Sequence, residues 1–97
     1  MNNRYLKQLR ALLLHALADQ QDVHVYLFGS RATGSARLHS DVDIGLLSHR
    51  RIPLALLVQL RELAEESSIP YKVDIVDLQT VNDSFRKQAL KGAEQWK

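Results

Sequence analysis

Apolar residues recur every three or four positions in three stretches of the chain, which is the pattern of helices with one buried face. The first stretch covers residues 3–19 and carries the stripe Leu6, Leu9, Leu13, Ala16 and Leu17. The second begins at Pro53, a residue favoured in the first turn of a helix, and ends near residues 67–68. The third covers residues 82–96, with residue 82 or 83 as N-cap and an inner face of Phe85, Ala89, Ala93 and Trp96.

Three shorter segments are typical of β-strands because they alternate or are rich in β-branched and aromatic residues. They cover residues 23–28, 41–47 and 71–76. Residues 29–40 are rich in Gly, Ser, Arg and Ala and predict a loop with room for one helical turn. The order predicts an α/β (α+β) fold, in which helices pack on a small mixed β-sheet of three strands.

Composition narrows the class of protein further. A chain of 97 residues predicts a single domain over residues 1–97, and 45% hydrophobic with 25% charged residues is ordinary for a globular protein. No apolar run approaches the roughly 20 residues that span a bilayer, and cysteine is absent. We expect a cytoplasmic protein without a membrane partner. The net charge of +2 suits a protein that handles phosphates, but it does not require nucleic acid.

The segment between the first two strands carries the candidate chemistry. Gly29 and Ser30 directly follow the first strand, where backbone amides can approach a phosphate without hindrance from a Cβ atom. After ten further residues, Asp41 and Asp43 begin the second strand. Side chains two apart in a strand point to one face, so these carboxylates are placed to bind a divalent ion. Carboxylate oxygens suit Mg²⁺, which completes its shell with waters and substrate phosphates.

The third strand supplies another acid. Asp74 lies among apolar residues inside the strand, where a carboxylate costs free energy unless it has a charged partner such as a metal ion. Asp77 has the opposite facing and ends the strand, so we assign it to a turn or cap.

These residues resemble the signature of the DNA polymerase β-like nucleotidyltransferase superfamily. The pair Gly29-Ser30, the ten-residue spacer and Asp41-Val42-Asp43 are similar to its central motif, and the longer segment looks like the MNT branch of minimal nucleotidyltransferases. The resemblance covers nearly the whole chain and implies a palm-like nucleotidyltransferase fold. Thr33 departs from it, since many relatives carry a basic residue there.

The resemblance implies the role of each site residue. Gly29 and Ser30 would hold the β- and γ-phosphates of ATP. Asp41 and Asp43 would ligate two Mg²⁺ ions, and Asp74 would ligate the catalytic one and accept the proton of the attacking hydroxyl. Arg31 is expected to add positive charge beside the triphosphate. Arg37 could have the same role, but it is equally compatible with a solvent-exposed position on the surface. Two weaker candidates are His39 in the loop and Trp96 as a partner contact.

The MNT branch also implies a partner. Its members are often paired with a helical HEPN protein, and some act as antitoxins that transfer AMP to a tyrosine of a HEPN ribonuclease toxin. We therefore expect a protein adenylyltransferase with ATP as donor. Two alternatives stay open, namely adenylyl transfer to a small molecule and a binding antitoxin without catalysis.

Overall fold

A four-stranded mixed β-sheet forms the centre of the computed structural model, which describes residues 3–34 and 41–97. The strands lie in the order β3-β2-β1-β4. In chain order the elements are α1 (Arg4–Ala16), β1 (Val23–Phe28), α2 (Ser30–Thr33), β2 (Val42–Ser48), α3 (Leu54–Glu66), β3 (Val73–Asp77), α4 (Asp83–Leu90) and β4 (Glu94–Gln95). The predicted α/β class and mixed sheet are confirmed.

The register of the strands brings the candidate acids together. β1 and β2 are antiparallel, and Phe28 lies opposite Asp43. β2 and β3 are parallel and are connected through α3, with Asp43 directly beside Asp74. Both acids therefore lie on the same face of the sheet, on neighbouring strands.

The two faces of the sheet are covered differently. One face packs against α1 and α3 and forms the main core, which includes Leu9, Leu13, Val25, Ile44, Leu46 and Leu60. The opposite face carries a smaller cluster of Phe28, Leu78 and Ala89. Gly45 lets the Leu78 side chain pack directly on β2, because a Cβ atom at Gly45 would lie 2.5 Å from Leu78 Cδ1. Asp43 and Asp74 belong to this second face, where α4 covers only part of the sheet.

The end of the chain differs from its prediction. The third predicted helix corresponds to α4, which ends at Leu90 instead of continuing to Trp96. Gly92 adopts a positive φ of 77° that turns the backbone out of the helix. The chain then forms β4, which pairs with Tyr26 and Leu27 of β1. Trp96 lies buried beyond this short strand rather than on a helix, so the prediction of three strands was one strand short.

Phe85 also differs from its predicted inward position. The residue lies in the first turn of α4 and is 45% exposed, so only part of its surface is covered by the sheet. Among the helices within residues 3–34 and 41–97, none has the length and apolar character needed to cross a membrane.

Candidate active site

Gly29 occupies a position at the end of β1 that other residues would find strained. Its φ of 75° and ψ of −154° lie in a region that is essentially restricted to glycine. A Cβ atom at this position would lie 2.5 Å from Asp43 Oδ2. The absence of a side chain at Gly29 therefore lets the backbone approach the Asp43 carboxylate.

A single helical turn follows this glycine. The Gly29 carbonyl accepts hydrogen bonds from the amides of Ala32 and Thr33 at 3.1 and 3.2 Å, which starts α2 at Ser30. Gly34 ends the turn in the left-handed conformation, with φ of 81°. Ser30 is thus held immediately beside Gly29, as the sequence predicts. Arg37 and His39 lie outside the described residues.

Asp43 lies at the centre of a group of charged side chains. Partial burial raises the pKa of its carboxyl group above the ordinary value, and the charges of Asp74 and then Asp41 raise this pKa further. The charge of Lys72 opposes the increase in pKa. The structure therefore brings the three acids predicted from the sequence into electrostatic contact.

These carboxylates do not form a ready-made metal cage. Across residues 3–34 and 41–97, no group of three His, Cys, Asp or Glu side chains is arranged to hold a metal ion. Mg²⁺ is nevertheless compatible with the donors, because it retains waters and takes further oxygen ligands from substrate phosphates. A divalent ion would also offset the burial and the neighbouring negative charges that raise the Asp43 pKa. Ligation by Asp41, Asp43 and Asp74 stays a prediction.

Arg31 is oriented by an aromatic contact. Its guanidinium lies 4.1 Å from the centre of the Tyr71 ring, which precedes β3. The Tyr71 hydroxyl accepts a hydrogen bond from Asn3 Nδ2 at 3.2 Å, and its ring meets Tyr5 edge-on at 5.7 Å. These contacts connect α2 to the start of β3 and to α1. They place Arg31 at the same end of the sheet as Gly29, where the sequence predicts contact with nucleotide.

Asp77 has the structural role that the sequence assigns to it. Its side chain is buried, and Oδ1 accepts a hydrogen bond from the Gln79 amide at 3.0 Å. The carboxylate therefore stabilises the turn after β3, on the face opposite Asp74.

Sequence reasoning missed two side chains near the acids. Lys72 is two residues before Asp74, and this spacing in a strand could have placed both on the same face. Phe85 had no such signal, because the apolar spacing of α4 predicts an inner position. Both side chains line a cavity of about 820 Å³ along β3, together with Phe28, Asp43, Asp74 and Val76.

Comparison with known proteins identifies the family to which this chain belongs. A model of the family described as "Polymerase beta, Nucleotidyltransferase" matches residues 13–95. The chain is 35% identical over 66 residues to the "Probable protein adenylyltransferase MntA" of Haemophilus influenzae. This alignment covers 68% of the chain and 58% of that relative, so the chain spans little more than half the length of the relative.

Solved structures agree with the fold. A protein provisionally named a minimal nucleotidyltransferase superposes with a TM-score of 0.75 and 28% identity, covering 97% of this chain and 95% of the other. A complex of the tri-AMPylated HEPN toxin of Shewanella oneidensis with its MNT antitoxin matches with a TM-score of 0.65 and 22% identity. That match covers 94% of this chain and 71% of the other. With the family model matching most of its length, the chain belongs to the polymerase beta nucleotidyltransferase family.

Proposed function

We propose that this chain transfers AMP from ATP to a protein hydroxyl, a tyrosine of a HEPN-type toxin, and acts as the antitoxin of that toxin. The observation that carries the proposal is the position of Asp43, whose carboxylate lies against Gly29 and within the fields of Asp74 and Asp41. The relative named a probable protein adenylyltransferase and the complex with an AMPylated HEPN toxin support AMP transfer to a HEPN-type protein.

Each site residue has a specific task in this proposal. Gly29 and Ser30 bind the β- and γ-phosphates at the end of β1, and Arg31 adds positive charge. Asp41 and Asp43 would ligate two Mg²⁺ ions, and Asp74 would ligate the catalytic one. When bound, such ions stabilise the attacking and leaving oxygens of an in-line displacement. Asp74 accepts the proton of the attacking hydroxyl. Nucleic acid is not required.

A transfer assay with ATP labelled on its α-phosphate, Mg²⁺ and the HEPN partner tests the proposal. Asp74→Asn should lower the initial rate of AMP transfer by on the order of a hundredfold or more, because it removes the proton acceptor and a metal ligand. The change is nearly isosteric, so the melting temperature should confirm that the variant is folded.

Asp77→Asn is the matched control, since it alters an aspartate of the same strand that faces the other way. We expect it to retain transfer and to lose roughly 0.5–1.5 kcal/mol of stability from the weakened hydrogen bond to Gln79. An inactive Asp77→Asn beside an active Asp74→Asn would refute the assignment of the acids.

A further inference from the structure

We propose that Phe85 is the surface on which the aromatic ring of the acceptor tyrosine rests. The residue would determine the preference for an aromatic hydroxyl over an aliphatic one. This inference rests on the proposed function and adds to it the residue that binds the acceptor side chain.

Phe85 is held firmly although much of its ring is exposed. Its amide donates a hydrogen bond of 2.8 Å to the N-cap Asn82, which fixes the first turn of α4. Its ring meets Phe28 edge-on, with centroids 6.2 Å apart and an interplanar angle of 87°. Phe28 in turn directly precedes Gly29 and pairs with Asp43. The ring is therefore anchored to the site on one side, while 45% of the residue remains exposed.

The position of the cavity favours the acceptor over the adenine base. In an in-line displacement, the attacking oxygen enters opposite the leaving pyrophosphate. If Gly29 and Ser30 bind the phosphates that leave, the hydroxyl must arrive from the Asp74 side of Asp43. The cavity of about 820 Å³ lies on that side, because its lining includes Asp74 and Phe85 and, among the described residues, neither Gly29 nor Ser30.

The composition of this cavity suits a phenol. Apolar surface around the acids comes from Phe28, Val76 and Phe85. The charged side chains of the lining are Asp43, Lys72 and Asp74, with Arg61 and Glu65 from α3. An aromatic ring would stack on Phe85 while its hydroxyl reaches the acids. The phenol oxygen would form a bond to the α-phosphorus as the bond from that phosphorus to the bridging oxygen breaks. Pyrophosphate leaves with the electron pair, and the phenol proton passes to the Asp74 carboxylate.

Steady-state kinetics with Mg²⁺-ATP and the HEPN partner as varied substrates test the inference. Phe85→Leu should raise the KM for the partner by on the order of tenfold, the worth of one aromatic contact, and leave the KM for ATP unchanged. Phe85→Tyr should keep the wild-type KM for the partner, because it keeps an aromatic ring at this position. Leu54→Ala is the control for general loss of apolar surface, since Leu54 is 68% exposed on α3 and should affect neither constant.

The possible outcomes are distinct. An increase in the KM for ATP with an unchanged KM for the partner would overturn the inference in favour of an adenine contact. Unchanged constants in a Phe85→Leu protein that melts like wild type would show that the ring contacts no substrate. Wild-type protein that transfers no AMP would instead refute the proposed function, and this inference with it.

Discussion

At the scale of single residues, the site depends on a glycine that must approach a carboxylate. Gly29 combines a positive φ with a Cβ position only 2.5 Å from Asp43 Oδ2, so any side chain both strains the backbone and displaces the acid. Gly34, at the end of α2, also has a positive φ, but within residues 3–34 and 41–97 no heavy atom beyond its chain neighbours lies within 4 Å of its Cβ position. A substitution at Gly29 therefore affects both the backbone and the Asp43 carboxylate, whereas a substitution at Gly34 affects only the backbone of the turn.

Gly29→Ala should cost on the order of 1–3 kcal/mol of stability, because alanine is strained at these angles. It should also abolish AMP transfer, since the methyl group moves the Asp43 carboxylate. Gly34→Ala should lose roughly 1–2 kcal/mol and keep its activity. Chemical denaturation and the transfer assay measure the two effects, and an active Gly29→Ala protein would contradict the close contact in the structure.

The raised pKa of Asp43 has a consequence for stability in the absence of metal. Between the ordinary carboxyl pKa and this raised value, the folded protein binds more protons than the unfolded chain. The free energy of unfolding therefore falls as the pH rises through that window, and this loss persists at neutral pH.

Asp43→Asn should accordingly raise the melting temperature of the metal-free protein at pH 7, because it removes a charge that burial and the neighbouring acids disfavour. The gain should shrink in acid below the ordinary pKa, where the wild-type carboxyl is protonated in both states. Thermal melts from about pH 3 to pH 8 test this. Asp19→Asn, at an exposed aspartate outside the site, should show no comparable gain, and a lower melting temperature of Asp43→Asn at pH 7 would argue against repulsion.

At the scale of elements, the short strand β4 and the two residues after it, Trp96 and Lys97, are attached to β1. The Trp96 amide donates to the Val25 carbonyl at 2.7 Å, and its indole N–H donates to Glu94 Oε2 at 3.0 Å. The side chain packs into the core on the face covered by α1 and α3. The buried Trp96 side chain and the hydrogen bonds of Lys97 to Val25 and Val23 together secure the second edge of the sheet.

Trp96→Ala should therefore lower the free energy of unfolding by about 3–5 kcal/mol, a large part of the stability of a small domain. Trp96→Phe should cost less, because it retains most of the apolar surface. The control Gln95→Ala, on an exposed neighbour in β4, should be close to neutral. A loss of less than about 1 kcal/mol in denaturant titrations of Trp96→Ala would mean that the Trp96 side chain contributes little to the core.

Periodicity predicts the elements that bury a regular face and misses those that do not. The bounds of β1 were predicted fully, because β-branched and aromatic residues alternate there. Strand β4 was not predicted, because it is only two residues long and because the helical spacing of apolar residues continues past Gly92 to Trp96. Asp43 and Asp74 were predictable from strand alternation and motif. The exposed ring of Phe85 was not, because its position depends on how α4 meets the sheet.

At the scale of the whole molecule, catalysis and occlusion predict different dose responses. An enzyme modifies many toxin molecules, whereas an occluding protein protects one toxin per binding site. The proposed function predicts that wild-type protein silences the ribonuclease of a HEPN toxin at substoichiometric amounts, provided that ATP and Mg²⁺ are present. The toxin should stay inactive after the antitoxin is removed.

The variant Asp41→Asn/Asp43→Asn changes the site and leaves the rest of the surface as it is. We expect it to fail in the ribonuclease assay at any dose below one antitoxin per toxin, and mass spectrometry should find no added AMP. Equal protection by this variant and by wild type would instead support a binding antitoxin without catalysis.

The pairing of β4 with β1 also affects how the protein comes together during synthesis. Tyr26 finds its partner Gln95 only after β2, α3, β3 and α4, which lie between them in the chain, have been made. Contacts between such distant positions close large loops and tend to form late in folding. Until then, the nascent protein presents the unpaired edge of β1, whose backbone groups could associate with strands of other molecules. The time needed to make and dock residues 94–97 thus sets how long the edge of β1 stays open to such association.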